Sequence, residues 1–170
     1  RKLTLIEDEY YKIIEYKTAS LFGCCCELAA FSNNLSEEKI SNIYKFGIKL
    51  GLVFQIKDDL LDYTPKKLTG KILGNDIKES KINLPLLYAI QNSVKSEKIK
   101  IINLLHKPVK TKEDISIIVS FVHKNNGIIR TEETLKNYKK EAIRMLNDFP
   151  DSEYKNSILY LLDFIIEREK

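Results

Sequence analysis

Three aspartates inside an otherwise apolar segment constrain this chain more than any other feature. Residues 51–63 read GLVFQIKDDLLDY, with carboxylates at Asp58, Asp59 and Asp62. On a helix, Asp58 and Asp62 lie on one face, where two carboxylates repel each other unless a cation lies between them. The surrounding Phe, Ile and Leu residues would bury much of such a helix, which counts against the alternative of a solvated acidic stripe. The segment therefore predicts a helix that binds a cation.

Helix signals also run through the rest of the chain. Gly and Pro are scarce, six and four of 170 residues, and no run of alternating β-branched residues is long enough to require a strand. Cap-like residues precede amphipathic runs at Thr4, Ser36 and Thr111. Pro85 suits the first turn of a helix, and a further helix is expected to end near Gly127. We therefore predict an all-α fold with no internal repeat.

The charge balance and the apolar pattern exclude several classes of protein. The formal charge is +4, which is too small to indicate a nucleic-acid partner. No stretch approaches the roughly eighteen apolar residues of a transmembrane helix, so no transmembrane segment is predicted. Cys24, Cys25 and Cys26 are adjacent, so they suit neither a zinc site nor a disulfide framework. We expect them to be small buried core residues of a protein in the reducing cytoplasm.

Carboxylates in this arrangement favour Mg²⁺, because that ion prefers hard oxygen ligands and usually shares its coordination with substrate phosphate. Residues 64–80 predict a structured loop that contains Lys71, and Lys81 follows directly. Lysines on loops suit phosphate oxygens as point charges, and the alternative for each is an ordinary surface lysine. The combination predicts a site for Mg²⁺ and a diphosphate.

A second candidate position is Lys17-Thr18, in the middle of a predicted helix. A threonine there can hydrogen-bond back onto the preceding turn and bend the helix, which would expose carbonyl oxygens. The alternative is a plain helix interior.

These motifs, in this order and spacing, resemble the C-terminal half of a trans-isoprenyl diphosphate synthase, also called a polyprenyl synthetase. Residues 54–62 are similar to the second aspartate-rich motif of that family, and residues 16–19 to its Lys-Thr motif. The likeness continues through residues 70–71, 74–76 and 81–86, and more loosely through Gly127, Pro150 and Arg168. Ser80 stands where the family usually has Gly, and Asn83 where it usually has Thr.

The family's first aspartate-rich motif is absent from residues 1–16. We therefore interpret residues 1–170 as one helical unit, the C-terminal part of a polyprenyl synthetase domain whose N-terminal half is missing. The resemblance implies the isoprenoid synthase helical bundle and a Mg²⁺-dependent, head-to-tail condensation of an allylic diphosphate with isopentenyl diphosphate. It also implies a homodimer for the full-length protein and an inactive chain when these residues are alone.

The same resemblance assigns roles to individual residues. The metal site is expected at Asp58, Asp59 and Asp62, with Asp58 binding Mg²⁺ directly and the other two mostly through Mg²⁺-bound water. The residues expected at the allylic diphosphate are Lys17, Thr18, Gln55, Lys71 and Lys81. Lys17, Thr18 and Gln55 are also the expected catalytic residues, because polar groups at these positions would lie beside the developing allylic cation.

Two other functions stay open at this point. One is a non-catalytic subunit that supports a separate catalytic chain, although Lys17, Gln55 and Asp58 would then have no chemical role. The other is a helical interaction module with a surface acidic stripe. In such a module, neutralising Asp58 would stabilise the fold by relieving repulsion.

Overall fold

The computed structural model of the protein describes residues 7–64 and 74–169. These two stretches contain helices and connecting turns but no strand, which confirms the predicted all-α class. In chain order the helices are α1 (Glu7–Ile14), α2 (Ser20–Ser32), α3 (Glu37–Leu61), α4 (Asn75–Lys78), α5 (Leu84–Asn92), α6 (Lys95–Leu105), α7 (Lys112–Lys124), α8 (Gly127–Met145) and α9 (Glu153–Glu167), with a π-helical segment, Glu15–Ala19, between α1 and α2. The predicted cap at Thr4 lies outside the described residues. None of the helices just given is both long and apolar enough to cross a membrane.

Two helices begin at the caps that the sequence predicts. The Ser36 hydroxyl accepts the N–H of Lys39 at 3.5 Å at the start of α3. At the start of α7 the Thr111 hydroxyl accepts the N–H of Asp114 at 3.1 Å, and the Asp114 carboxylate accepts the N–H of Thr111 at 3.0 Å. This reciprocal pair satisfies two N–H groups that the helix leaves without partners. A further bond from Lys107, at 2.7 Å, holds the pKa of Asp114 below its usual value.

The helix predicted to end near Gly127 ends at Lys124, and Gly127 itself is the first residue of α8. Asn126 takes the left-handed turn between the two helices, with φ of 57°. A Cβ on Gly127 would overlap the carbonyl oxygen of Pro85, so glycine allows α8 to begin close to α5.

The chain divides into two compact units. The first contains the described residues among 1–10, 58–133 and 169–170. Its core is formed by α4, α5, α6 and α7 together with Tyr63, and the most deeply buried members include Ile77, Leu86, Leu105 and Ile118. This core supports the segment that follows the aspartates.

The second unit contains residues 11–57 and 134–168. Its long helix α3 lies very close to α2. The missing side chain of Gly47 permits this approach, since a Cβ there would lie 2.5 Å from the carbonyl oxygen of Phe22. An ion pair of 2.6 Å between Lys49 and Glu141 joins α3 to α8. The second unit is therefore packed around residues 37–57 of α3.

The expectation that the three cysteines are core residues is wrong. Cys24 and Cys25 are exposed, and Cys26 is half-buried. The side of α2 that faces α3 is taken by Gly23, where a Cβ would already lie 2.9 Å from Tyr44 and Ile48 side-chain atoms. Since adjacent helical residues point about 100° apart, the cysteines that follow Gly23 turn away from that contact. Partial burial raises the pKa of the Cys26 thiol.

Ser80 has a left-handed backbone, with φ of 56°, shortly after α4. This conformation favours glycine, which agrees with the glycine expected here from the family pattern. The Ser80 hydroxyl donates to the carbonyl of Leu105 at 3.1 Å and accepts from Lys110 Nζ at 2.6 Å. These two bonds offset part of the conformational cost.

We predict that Ser80→Gly is more stable than Ser80→Ala by about 1 kcal/mol. Both variants lose the two hydroxyl contacts, so the difference isolates the left-handed backbone. Urea unfolding of the two variants measures it. Equal stabilities would show that the backbone at residue 80 is not strained.

Candidate functional site

The three aspartates of the motif differ in how far they are buried at the end of α3. Asp58 is exposed, Asp59 is only 4% exposed, and Asp62, just past the helix, is half-buried. Adjacent helical residues diverge by about 100°, so Asp58 and Asp59 cannot share one face. The motif therefore divides into one exposed aspartate, Asp58, and two that are buried or half-buried.

Asp59 is a buried anchor. Its Oδ2 atom accepts the hydroxyl of Tyr10 at 2.7 Å and the backbone N–H of Leu84 at 3.1 Å. Leu84 is the first residue of α5, so the carboxylate also lies at a helix N-terminus, where the helix dipole favours an anion. One buried charge thus connects α1, α3 and α5.

Asp62 holds the segment that follows the motif. Its Oδ1 accepts the N–H of Asn75 at 2.9 Å and its Oδ2 accepts the N–H of Asp76 at 3.1 Å, which caps α4. The backbone carbonyl of Asp62 also accepts the N–H of Gly74 at 3.0 Å. Gly74 has φ of 74°, a conformation that favours glycine at this tight return of the chain.

A buried polar network supports the same region. The Tyr63 hydroxyl donates to Asn83 Oδ1 at 2.7 Å, and Asn83 Nδ2 donates to Asp76 Oδ2 at 3.2 Å. Burial raises the pKa of Tyr63 well above its usual value, and the neighbouring carboxylates of Asp62 and Asp59 add to that effect. Tyr63 is therefore a neutral donor, and both the oxygen and the nitrogen of the Asn83 side-chain amide are hydrogen-bonded.

Of the two loop lysines predicted to contact the diphosphate, Lys71 and Lys81, the structure describes only Lys81. Lys81 lies 2.5 Å from Glu79 and 3.9 Å from Asp76, and its bond to Glu79 raises its pKa. The Lys81 side chain is 57% exposed, so it is a charged lysine at the surface beside the Asp62 segment. Lys71 lies outside the described residues.

Lys17, Thr18 and Gln55 belong to the second unit. The sequence predicts an irregular backbone at Lys17-Thr18, and these residues lie in the π-helical segment. There the N–H of Ser20 donates to the carbonyl of Glu15, five residues back. The expected bond from Thr18 to the preceding turn is wrong, because its hydroxyl donates to Gln55 Oε1 at 3.0 Å. Insertions of this kind re-aim helix side chains and occur frequently at functional sites.

Close packing between the π-helical segment and α3 permits this hydrogen bond. A Cβ on Gly51 would lie 2.5 Å from the Cα of Ala19, so any larger residue would separate the two backbones. Gln55 is one turn further along α3 and is buried, whereas Lys17 is exposed. The structure thus joins Thr18 to Gln55 and leaves the Lys17 ammonium at the surface of the second unit.

Sequence reasoning did not find Tyr10 or the role of Arg168. Tyr10 is 49 residues from its partner Asp59, and nothing in the local pattern marks it. Arg168 Nη2 donates to the carbonyl of Phe54 at 3.1 Å, and its guanidinium lies 4.2 Å from the Phe54 ring centroid. The one sequence feature that pointed to Arg168 was its loose likeness to the C-terminal pattern of the family.

Asp58 fits a hard divalent cation. It presents carboxylate oxygens at the surface, where Mg²⁺ can keep several of its waters. Among the described residues no group of three or more His, Cys, Asp or Glu side chains is placed to hold one metal ion. The joint metal site of Asp58, Asp59 and Asp62 therefore stays a prediction, and Asp58 is the member whose surroundings suit it best.

Comparison with known proteins decides the family. The family model described as polyprenyl synthetase matches residues 1–122. The chain belongs to the polyprenyl synthetase family. Among curated relatives, a prenyl transferase of Porphyra purpurea is 32% identical over 162 residues, covering 95% of this chain and 49% of that protein. Heptaprenyl diphosphate synthase component 2 of Bacillus subtilis is 29% identical over 161 residues, covering 94% and 45%.

Solved structures of synthases have the same fold. A geranylgeranyl pyrophosphate synthase from Bacteroides thetaiotaomicron superposes with a TM-score of 0.88 at 35% identity, covering 96% of this chain and 54% of that one. A polyprenyl synthase from Caulobacter crescentus, complexed with calcium and isoprenyl diphosphate, gives 0.90 at 30% identity, covering 99% and 52%. This polyprenyl synthetase chain therefore spans about half the length of the relatives it matches.

The split of the aspartate motif in this polyprenyl synthetase chain predicts a stability order. We expect Asp59→Asn to destabilise the fold by about 2 kcal/mol, because it weakens two buried charge-assisted bonds, and Tyr10→Phe by about 1 kcal/mol. Asp58→Asn should change stability by less than about 0.5 kcal/mol, as for other exposed positions. Urea unfolding midpoints measure all three. A larger loss for Asp58→Asn than for Asp59→Asn would contradict this division of roles.

Proposed function

We propose that this chain supplies one wall of the active site of a polyprenyl diphosphate synthase, with Asp58 as its direct ligand to Mg²⁺. The observation that carries the proposal is the exposure of Asp58 next to Asp59 and Asp62, whose carboxylates accept backbone N–H groups. A stripe of solvated acids would not require its second and third members to accept backbone N–H groups. The anchored pair holds the end of α3 in place, which fixes where Asp58 can meet a ligand.

The proposed reaction joins an allylic diphosphate head to tail with isopentenyl diphosphate. When bound, Mg²⁺ supplies positive charge that stabilises the departing diphosphate. Lys17, Lys71 and Lys81 would add charge at the diphosphate oxygens. Thr18 and Gln55, which are hydrogen-bonded to each other, would direct their dipoles at the developing allylic cation without attacking it. Asp59 and Asp62 would act through Mg²⁺-bound water and by keeping the segment 74–84 in place.

The partners of this wall are also part of the proposal. Because the chain spans about half of each relative and residues 54–62 are similar to the family's second aspartate-rich motif, we assign it to the C-terminal part of the synthase, with the first aspartate-rich motif on polypeptide outside residues 1–170. We propose a homodimer for the complete enzyme and no activity for these residues alone. Three adjacent free thiols are consistent with a cytoplasmic, reducing location.

A non-catalytic interaction module is the second candidate, and one observation favours it. Leu21, Leu28 and Phe31 on α2 are 66–70% exposed, which is a large apolar surface for a short helix. Such a surface would equally lie against the remaining half of a synthase. Enzyme activity that depends on Asp58 separates the two functions.

We predict that the natural polypeptide containing these residues incorporates labelled isopentenyl diphosphate into an organic-soluble product when an allylic diphosphate and Mg²⁺ are present. Asp58→Asn should lower kcat by at least about a hundredfold, because charge stabilisation of the leaving group is lost. Asp148→Asn, an exposed aspartate outside the motif, is the matched control and should leave kcat unchanged.

Incorporation that survives Asp58→Asn would contradict the assignment of Asp58. No incorporation by that natural polypeptide, together with a higher melting temperature in Asp58→Asn, would favour the non-catalytic interaction module, because relieved repulsion is expected there.

A further inference from the structure

Arg168, at the end of α9, makes contacts that the proposed mechanism does not use. Its Nη2 atom donates to the backbone carbonyl of Phe54 at 3.1 Å, and its guanidinium lies 4.2 Å from the centroid of the Phe54 ring. That carbonyl belongs to the peptide group that joins Phe54 to Gln55. Arg168 therefore contacts the backbone immediately before a residue that is proposed to lie beside the allylic cation.

The end of α9 fixes the place of this guanidinium. Leu162 is fully buried and Ile165 is 4% exposed, so the last two turns of α9 are packed within the second unit. The backbone N–H of Arg168 donates to the carbonyl of Phe164 at 2.9 Å, which ties the residue to the last turn. Arg168 itself is half-buried. The guanidinium is therefore held against α3 by a packed helix end.

Two aromatic rings continue the contact from α3 to α2. The Phe54 ring lies beside the Phe22 ring, with 5.6 Å between the centroids and 38° between the planes. Phe22 also approaches α3 closely, because a Cβ on Gly51 would lie 3.1 Å from its Cδ2 atom. We call Arg168, Phe54 and Phe22 the Arg–Phe cluster. It joins α2 and α3 to the end of α9 within the second unit.

The Arg–Phe cluster lies next to the Thr18–Gln55 hydrogen bond along both helical segments. Gln55 follows Phe54 directly on α3, and Phe22 is about one helical turn after Thr18. The bond from the Thr18 hydroxyl to Gln55 Oε1 is 3.0 Å long. The same two segments are therefore joined twice, once by this polar bond and once by the two rings. A shift at Phe54 would change the separation that the polar bond requires.

We propose that Arg168 is a positioning residue for prenyl transfer, an inference that rests on the proposed function. Through the peptide group before Gln55 and the ring of Phe54, it keeps Gln55 and its partner Thr18 in the orientation that their role beside the cation requires. Dipoles stabilise a developing charge only where they are already oriented, so a small displacement of either side chain lowers the rate of the chemical step. Arg168 acts through Phe54 and is assigned no contact with the substrate.

A purely structural role for Arg168 is the alternative, and it makes a different prediction. Loss of a structural contact lowers the free energy of unfolding, and any effect on the rate adds to the effect of a second change. A positioning residue that acts through Gln55 loses its effect on the chemical step once the Gln55 amide is gone. Kinetic coupling between changes at the two positions therefore separates the two roles.

Single-turnover kinetics of the natural polypeptide containing these residues test the proposal. We expect Arg168→Met to lower the rate at saturating substrates by about tenfold, because the dipoles are displaced. The allylic diphosphate concentration for half-maximal rate should change by less than about twofold, because the proposed phosphate lysines are untouched. Arg168→Lys keeps a donor for the Phe54 carbonyl without the planar guanidinium, so it should restore part of the rate. In a Gln55→Leu background, Arg168→Met should cost less than about twofold.

Arg144→Met is the matched control, because Arg144 is an exposed arginine in the last turn of α8, also within the second unit. It should leave the rate unchanged, and thermal unfolding should show that each variant is folded at the assay temperature. Arg168→Lys gives the same comparison with Gln55→Leu if Arg168→Met does not fold. An equal loss with and without the Gln55 amide, or no loss at all, would overturn the proposal. An unchanged polypeptide that transfers no prenyl group would instead refute the proposed function, and this role of Arg168 with it.

Discussion

The buried carboxylate of Asp59 determines the geometry of the aspartate motif. It accepts one hydrogen bond from the Tyr10 hydroxyl of α1 and another from the backbone N–H of Leu84 at the start of α5, so three helices meet at one carboxylate. A buried charge without such partners would be costly, and a charge with only one of them would leave the other donor unsatisfied. The position of Asp58 on the outer side of the same helical turn follows from that fixed arrangement.

The division between Asp58 and its neighbours changes how the motif is understood. From the sequence, all three aspartates are expected at one Mg²⁺ site, Asp58 directly and Asp59 and Asp62 mostly through Mg²⁺-bound water. In the structure Asp62 caps α4 and Asp59 caps α5, so two of them stabilise the segment that carries Gly74, Asp76 and Lys81. A change at Asp59 or Asp62 would therefore disturb local folding and move the surroundings of Asp58, so the proposed metal ligand depends on both.

The sequence predicted the fold well where the signal is local. The caps at Ser36 and Thr111 and the proline in the first turn of α5 depend on neighbours within a few residues, and all three are confirmed. It failed where the deciding contact is distant. Neither Tyr10 nor the Thr18–Gln55 bond has a local signature, and the cysteines were placed in the core because the packing of Gly23 against α3 cannot be read from α2 alone.

Binding of inorganic pyrophosphate is the most direct measurement of the role of Asp58. Isothermal calorimetry of the chain in Mg²⁺, repeated after chelation with EDTA, gives the metal-dependent heat. We predict Mg²⁺-dependent binding that is lost in Asp58→Asn, while the melting temperature of that variant without ligand equals that of the unchanged chain. Unaltered Mg²⁺-dependent binding in Asp58→Asn would contradict the assignment of this carboxylate as the metal ligand.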